Sequence, residues 1–287
     1  MTDLMELFDD LERQTTPASR DEIVRAPFGY PGGKSRSITR ILPELPYYNT
    51  YVEPFGGGGS ILLARQSSKL EVLNDRYSGV VSFYRCLRSN LDELVDRLDL
   101  SIHSREDFIN AKKNWENCDS DVERAALWYI MIQHSFAALG RNWGRVTKGK
   151  GSQAAKVYKN LKLFEPVHRR LRDVQIENQD WYQCMQDYDS PDTVFYLDPP
   201  YIDTNKGTYK HEMSDTEHRR LIDTIFSMEG FVAISGYSNP LYDNQDWDAV
   251  KRWEVMASMQ GLAETNQAYT GVDRGKAVET LWIKEAQ

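Results

Sequence analysis

Cysteines, long apolar runs and metal-type histidine spacing are scarce or absent in this chain of 287 residues. The three cysteines are widely separated and form no CxxC pair, which indicates a reduced, intracellular protein. Because no run of about 18 apolar residues occurs, we expect no membrane span. The N-terminus lacks the basic start and apolar stretch of a signal peptide, so the expected location is cytoplasmic. The five histidines show no zinc-ligand spacing, and we expect no bound metal.

A complete phosphate-binding loop is also missing. The stretch FGYPGGKS, residues 28–35, resembles one, but Phe28 occupies the position where such a loop requires its first glycine. Pro31 stiffens the middle of the stretch and lacks an N–H group that could face a phosphate. The sequence therefore argues against a P-loop NTPase, and the stretch must serve another ligand.

The net charge of −8 is distributed unevenly along the chain. Residues 141–172 carry ten Lys or Arg and one Glu, a local charge of +9, so the remaining chain carries −17. This basic segment also contains Trp143 and Tyr158, and a basic face with aromatic rings is typical of nucleic-acid binding. A solvated charged face is the alternative for the charge run alone.

Apolar strands and amphipathic helices alternate on both sides of the basic segment, which predicts an α/β fold. TYVE (50–53) runs into the glycine-rich PFGGGGS, a helix follows, and the strand LEVLND ends at Asp75. This order outlines a Rossmann-like nucleotide-binding half. Helices are predicted over ILLARQSSK (61–69), YSGVVSFYRCLRSNLDELVDRL (77–98, its end overlapping a predicted segment 91–99), 121–139 and SDTEHRRLIDTIFSM (214–228), the last with a capping box. Further strands are predicted in DVQIENQDW, TVFYLDPPY, FVAISGYSN, WEVMASMQ and AVETLWIKEA, the last two joined like a long hairpin.

The alternation of strands and helices is interrupted by a mostly helical region, and this change predicts three parts of the chain. Residues 26–88 and 172–287 form one α/β domain, and residues 89–171 form a mostly helical insertion within it. Residues 1–25 are an acidic N-terminal tail.

YLDPPY, residues 196–201, is the stretch with the most specific chemistry. A strand delivers Asp198 at its carboxyl end, where open α/β sheets bind their ligands. The Asp198 carboxylate and the Pro199 carbonyl form two fixed hydrogen-bond acceptors, and the Tyr201 ring offers a stacking face. This set suits a planar group that bears an –NH₂. For the tetrapeptide alone, a strand-ending turn is the alternative.

Four motifs in this order, YPGGK (30–34), EPFGGGGS (53–60), LND (73–75) and DPPY (198–201), resemble the Dam-type, alpha-ordered DNA adenine-N6 methyltransferases. The resemblance covers roughly residues 26–88 and 172–285. It implies a Rossmann-like, S-adenosylmethionine-dependent methyltransferase sheet with an inserted, mostly helical target-recognition domain. The implied product of the cofactor is S-adenosylhomocysteine.

The resemblance also implies roles for individual residues. The cofactor is expected against Tyr30, Lys34, Glu53, Phe55, Gly57, Asp75, Asp180 and Asp198. Tyr30 would stack near it, where Trp is more usual, and Lys34 would reach its carboxylate end or the adjoining acidic side chains. Glu53 would face its amino-acid or sulfonium part, Asp75 its ribose, and Asp180, beside Trp181, its adenine amine; Asp180 could equally be an ordinary helix start. The expected catalytic residues are Asp198, Pro199 and Tyr201, which would hold and stack a flipped adenine.

The expected partner is double-stranded DNA, bound by a monomer or weak dimer in a bacterial, archaeal or phage context. Within GRNWGR, residues 140–145, arginines suit guanine edges and an asparagine suits adenine. The predicted DNA-contacting residues are Arg141, Asn142, Trp143, Arg145 and Lys148. GRNWGR departs from the common family pattern, so the target sequence does not carry over. The loops 203–213 and 262–276 are expected to cover the active site. A methyltransferase acting on RNA or a protein amide, and a non-catalytic nucleic-acid binder, are the alternatives.

Overall fold

The computed structural model describes residues 23–101, 103–145, 153–202, 211–256 and 276–287. Lys148, residues 1–22 and nearly all of the two expected active-site loops lie outside the described residues.

One sheet of seven strands organises the molecule, in the order β3-β2-β1-β4-β5-β7-β6. Its strands are β1 (Thr50–Glu53), β2 (Leu70–Asn74), β3 (Val174–Glu177), β4 (Thr193–Leu197), β5 (Phe231–Tyr237), β6 (Ala249–Met256) and β7 (Lys276–Lys284). Strands β1 to β5 are parallel, whereas β7 runs antiparallel to both β5 and β6. The predicted Rossmann-like α/β sheet is thereby confirmed, together with the antiparallel pairing of its last two strands.

The central strands are apolar throughout because helices cover both faces of the sheet. In β4 all five residues are buried. Successive side chains of a strand point to opposite faces: Val194 and Tyr196 belong to one core, Phe195 and Leu197 to the other. This burial fixes the register of β4, and with it the position of Asp198 directly after the strand.

Eleven α-helices lie in the part of the chain that the structure describes. They are α1 (Ile38–Ile41), α2 (Ser60–Ala64), α3 (Ser78–Ser89), α4 (Leu91–Asp99), α5 (Arg105–Asn114), α6 (Asp121–Gln133), α7 (Gln153–Leu161), α8 (Phe164–Arg170), α9 (Trp181–Tyr188), α10 (Asp215–Ser227) and α11 (Pro240–Asp243). The predicted capping box of α10 is present, because Ser214 and Glu217 each bond to the other's backbone N–H. No helix in the described part of the chain combines the length and the apolar character that crossing a bilayer requires.

Three helix predictions extended too far. Residues 77–98 form two helices, because Asn90 leaves the helical region with φ −137° and ψ 45°. The helix predicted over 121–139 ends at Gln133, and Ala137 and Ala138 follow in the left-handed region with φ of 53° and 58°. The helix predicted over 61–69 spans Ser60–Ala64, because Arg65 is extended. Apolar residues continue past Asn90 and Gln133, whereas the residues after Ala64 are polar. The second of the two helices within 77–98 coincides with the separately predicted segment 91–99.

Helix α6 joins the predicted insertion to the sheet domain through one shared core. It packs on α3, α4 and α5, and Trp128 is fully buried. A Cβ atom at Gly79 of α3 would lie 2.2 Å from Trp128 Nε1, so this close approach requires glycine. The division at residues 88 and 172 stays a prediction, since helices from both parts line the same core.

Gly79→Ala should therefore destabilise the fold by about 1–3 kcal/mol through overpacking, although alanine favours a helix by about 1 kcal/mol. Urea titration of the free energy of unfolding measures this. Gly29→Ala is the matched control, because an added Cβ there meets no heavy atom within 4 Å. Equal stability of the two variants would contradict the packing described here.

Candidate active site

A pocket of about 950 Å³, part of it open to solvent, lies at the carboxyl ends of β1, β2 and β4. The strand order reverses on either side of β1, and ligands of open α/β sheets bind at such switch points. Seven of the predicted residues line the pocket: Tyr30, Lys34, Glu53, Phe55, Gly57, Asp75 and Asp198. Asp180, Pro199 and Tyr201 are not among its lining residues.

The glycine loop after β1 forms the floor of the pocket. Gly57 and Gly59 have positive φ values of 47° and 58°, which favour glycine. A Cβ at Gly56 would lie 2.9 Å from the Asn74 carbonyl oxygen, so the loop approaches β2 as closely as backbone allows. Because its glycines carry no side chains, the loop leaves space above it for a ligand.

Asp75, which directly follows β2, is hydrogen-bonded to the glycine loop. Its Oδ2 accepts from the Gly57 N–H and its Oδ1 from the Tyr77 N–H, both at 2.7 Å. Burial raises the pKa of this carboxyl group to about 6, although the two N–H donors lower it. Each oxygen has a second lone pair, so Asp75 can also accept from hydroxyl groups of a ligand.

Glu53 ends β1 and is only 2% exposed. Its Oε1 accepts from Tyr51 Oη at 2.8 Å and from the Leu62 N–H at 2.6 Å. Burial raises the pKa of Glu53 to about 8 despite these two bonds, and the charge of Asp198 raises it further. A cation bound in the pocket would reverse this effect, since a nearby positive charge favours the carboxylate.

Lys34 and Asp198 form an ion pair at the centre of the site. Lys34 is 6% exposed, and its Nζ lies 2.6 Å from Asp198 Oδ1 and 2.9 Å from the Gly32 carbonyl oxygen. Ser235 Oγ, on β5, donates to the same Oδ1 at 3.0 Å. The expected contact of Lys34 with an acidic side chain of the site is thus present, and one Asp198 oxygen is held from two sides.

Glu279 is a site residue that no sequence motif indicated. It lies on β7, is 7% exposed, and its Oε1 accepts from Tyr201 Oη at 3.1 Å. The same oxygen is 3.6 Å from Lys34 Nζ, which itself lies 4.8 Å from the centre of the Tyr201 ring. Glu279 therefore joins Lys34 to Tyr201. Its signal in the sequence was a charged residue at a core-facing position of an apolar strand, two positions before Leu281.

Two aromatic rings form a wall of the pocket. Phe55 and Trp181 stack with their centroids 6.2 Å apart and an interplanar angle of 26°. Asp180, by contrast, starts α9: its side chain accepts from the Tyr182 N–H at 3.1 Å and lies 3.6 Å from Arg76. The helix-start alternative therefore describes Asp180, and a cofactor contact of this residue stays a prediction.

Residues 30–259 match the family described as D12 class N6 adenine-specific DNA methyltransferase. The chain belongs to this family. The type II methyltransferase M1.LlaDCHI of Lactococcus lactis subsp. cremoris is 29% identical over 238 residues, which cover 73% of this chain and 80% of that protein. M.MjaIII of Methanocaldococcus jannaschii is 26% identical over 222 residues, covering 66% and 75%. The DNA adenine methylase of Salmonella typhi is 24% identical over 249 residues, covering 82% and 86%.

The match confirms the resemblance that the four motifs indicated. The protein is an adenine-specific DNA methyltransferase, which decides against the non-catalytic binder and favours DNA over RNA or a protein amide. No group of three or more metal-ligating side chains occurs among the residues that the structure describes. Cys86 and Cys184 are buried, and burial raises the pKa of each thiol to about 12.

Four of the five residues predicted to contact DNA are described by the structure and lie on the turn after α6. Arg141, Asn142 and Arg145 are exposed, whereas Trp143 is only partly exposed. Its ring packs 4.3 Å from that of His103 and 6.0 Å from that of His134. This packing supports the turn from below, and DNA contacts by all five predicted residues, Trp143 included, stay predictions.

Glu53 should make the stability of the ligand-free methyltransferase fall as the pH rises. Its pKa is about 8 in the folded state against 4.5 ordinarily, so its stabilising contribution is complete below 4.5 and is lost as the pH rises through 8. Between about pH 6.5 and 8, below the range in which the thiols of an unfolded chain ionise, the free energy of unfolding should drop by about 1.5 kcal/mol. Asp75, whose pKa is about 6, is largely ionised across this window.

Glu53→Gln should remove this drop, because the amide keeps the shape of the side chain and does not titrate. Urea titrations at both ends of the window compare the variant with the wild type. An identical pH dependence of the two proteins would show that Glu53 is not the titrating group.

Proposed function

We propose that this enzyme transfers the methyl group of S-adenosylmethionine to N6 of an adenine flipped out of duplex DNA. The observation that carries the proposal is the Asp198 carboxylate, held by Lys34 and Ser235 beside a glycine-floored pocket at the switch point of the sheet. The D12 family match supports the reaction. Residues 89–171 would then serve as the target-recognition part.

The lining of the pocket suits S-adenosylmethionine. It combines aromatic rings with a few placed polar and charged groups, which is typical of cofactor sites. The Asp75 carboxylate can accept from ribose hydroxyls, the Phe55 and Trp181 rings offer an apolar wall, and buried Glu53 faces a cation more readily than an anion. When bound, S-adenosylmethionine supplies a methyl carbon activated by its positive sulfonium.

Asp198 is proposed to orient the adenine amine. Among the described residues, the hydrogen bonds of its carboxylate go to Oδ1, which Lys34 and Ser235 occupy. Oδ2 then accepts one N6 hydrogen and the Pro199 carbonyl accepts the other, which turns the nitrogen lone pair out of conjugation with the ring. Holding the amine in one orientation lowers the barrier because less freedom is lost on the way to the transition state.

The charges around Asp198 also suit the reaction. Asp198, Lys34 and Glu279 together carry one negative charge, and the attacking nitrogen becomes positive. Fixed charges that oppose a developing charge lower the barrier most strongly in a water-poor site. Asp198 is the nearest carboxylate to accept the proton that N6 must lose, and Tyr201, anchored by Glu279, stacks the base.

Asp198→Asn tests the role of this carboxylate. The amide keeps the size of the side chain but removes its charge, so the rate should fall by at least about a hundredfold. Methyl transfer from labelled S-adenosylmethionine to duplex DNA measures the rate, and calorimetry of cofactor binding checks that the pocket persists. A variant that methylates DNA at the wild-type rate would remove the proposed mechanism.

Glu279→Gln tests the charge of Glu279 separately from its hydrogen bond to Tyr201. The amide oxygen can still accept from Tyr201 Oη, but the charge beside Lys34 is lost, so kcat should fall by about tenfold, equivalent to about 1.4 kcal/mol. Tyr201→Phe removes the hydroxyl and keeps the ring, so it should raise the KM for DNA more than it lowers kcat. Glu285→Gln, at an exposed position after β7, is the control. Unchanged kinetics in both site variants would exclude Glu279 from the reaction.

The substrate itself is tested by sequencing modified bases after expression in a host that lacks DNA methylation. N6-methyladenine at one recurring sequence is the expected result and would identify the target. Unmodified DNA, together with labelled transfer to RNA or protein by the purified enzyme, would overturn the proposal.

A further inference from the structure

Helix α5 (Arg105–Asn114) carries charges of both signs. Arg105, Lys112 and Lys113 are exposed cations, and Glu106 and Asp107 are the acids of the same helix. The formal charge of the helix is therefore only +1, and a count along the sequence gives no sign of a basic surface. The cations 105 and 112 are seven residues apart, a spacing that returns to the same side of a helix.

A groove beside α5 is lined by these cations and not by the acids of the helix. It is lined by Arg105, Phe108, Ile109, Lys112 and Lys113 of α5 and by Arg141, Asn142 and Trp143 of the following turn. Four of these lining side chains are cationic and none is acidic. Lys112 Nζ donates to the Arg141 carbonyl oxygen at 2.8 Å, which ties the helix to the turn predicted to read bases.

Shared lining residues relate this groove to the active-site pocket. A second groove is lined by Lys112 and Arg141 at one end and by Tyr30 and Tyr77 at the other. Tyr30 and Tyr77 also line the active-site pocket. The second groove includes two acids, Glu116 and Glu212, so the positive charge is concentrated at the α5 end. A polyanion bound along this path would reach the active site from the α5 side.

We propose that the α5 face, defined by Arg105, Lys112 and Lys113, binds the phosphate backbone of duplex DNA to one side of the target adenine. This inference rests on the proposed function. Exposed cations on a concave surface match the regular phosphates of a duplex, and contacts of this kind fix the register of the protein without reading sequence. The α5 face therefore sets where the turn and the active site meet the DNA.

The test is the salt dependence of binding to a mixed-sequence DNA duplex, measured by fluorescence anisotropy with the full chain. Removing one cation that neutralises a phosphate should lower the slope of log K against log salt by about 0.9. Lys112→Ala combined with Lys113→Ala should thus lower the slope by about 1.8 and weaken binding to every sequence alike. Arg105→Ala and Lys113→Ala are also measured singly, because Lys112 additionally contacts the turn.

Lys69→Ala is the control, since Lys69 is an exposed cation directly before β2, at the edge of the sheet opposite the pocket. Its slope and affinity should match those of the wild type. A wild-type slope in the double variant and in Arg105→Ala would overturn the inference, whereas the proposed function would stand if the wild type still methylates DNA. A wild type that methylates RNA and not DNA would overturn both.

Discussion

The contact between Lys34 and Asp198 is the interaction on which the rest of the site depends. Two largely buried charged groups are tolerated only when they are paired, because either one alone would lose solvation without compensation. Lys34 comes from the segment before β1 and Asp198 from the end of β4, which are 164 positions apart in the chain. The pair therefore forms only when the sheet has assembled in its correct order.

In the assembled sheet, β1 lies between β2 and β4. The glycine loop after β1 and the Asp75 carboxylate after β2 then face the Asp198 end of β4 across one pocket. Strand β7 adds Glu279 from the antiparallel side, so a residue close to the C-terminus contacts the lysine of the N-terminal motif. Residues from both ends of the chain thus share one network of contacts, in which Glu279 touches both Lys34 and Tyr201.

Local patterns were enough to predict the sheet, and the family resemblance added most of the pocket residues. Apolar runs ending in Asp75 and Asp198 identified strands whose ends line the pocket, and the glycines of residues 56–59 identified the loop after β1. The predicted segment 91–99 matches α4, whereas the helix end after Gln133 was not predicted, because apolar residues continue across it. Left-handed alanines after α6 oppose their local preference, so residue types alone give no sign of this turn.

Residues that act through distant contacts were also beyond prediction from the sequence. Ser235 and Glu279 belong to no motif, and they reach the site because β5 and β7 are neighbours in the sheet. The basic groove beside α5 was hidden for a different reason, since Glu106 and Asp107 of this helix, which do not line the groove, cancel most of the helix charge in any linear count. Asp180 shows the converse: its position after a strand matched a family role, whereas its hydrogen bond is that of a helix cap.

The most direct measurement is a crystal structure of the enzyme with a non-reactive cofactor analogue and a duplex that contains its target. The account predicts an extruded adenine whose N6 lies within about 2.7–3.2 Å of an Asp198 carboxylate oxygen and of the Pro199 carbonyl, with Lys34 still bound to Oδ1. An adenine whose N6 is held by other groups, with the Asp198 carboxylate turned away from the cofactor analogue, would contradict it.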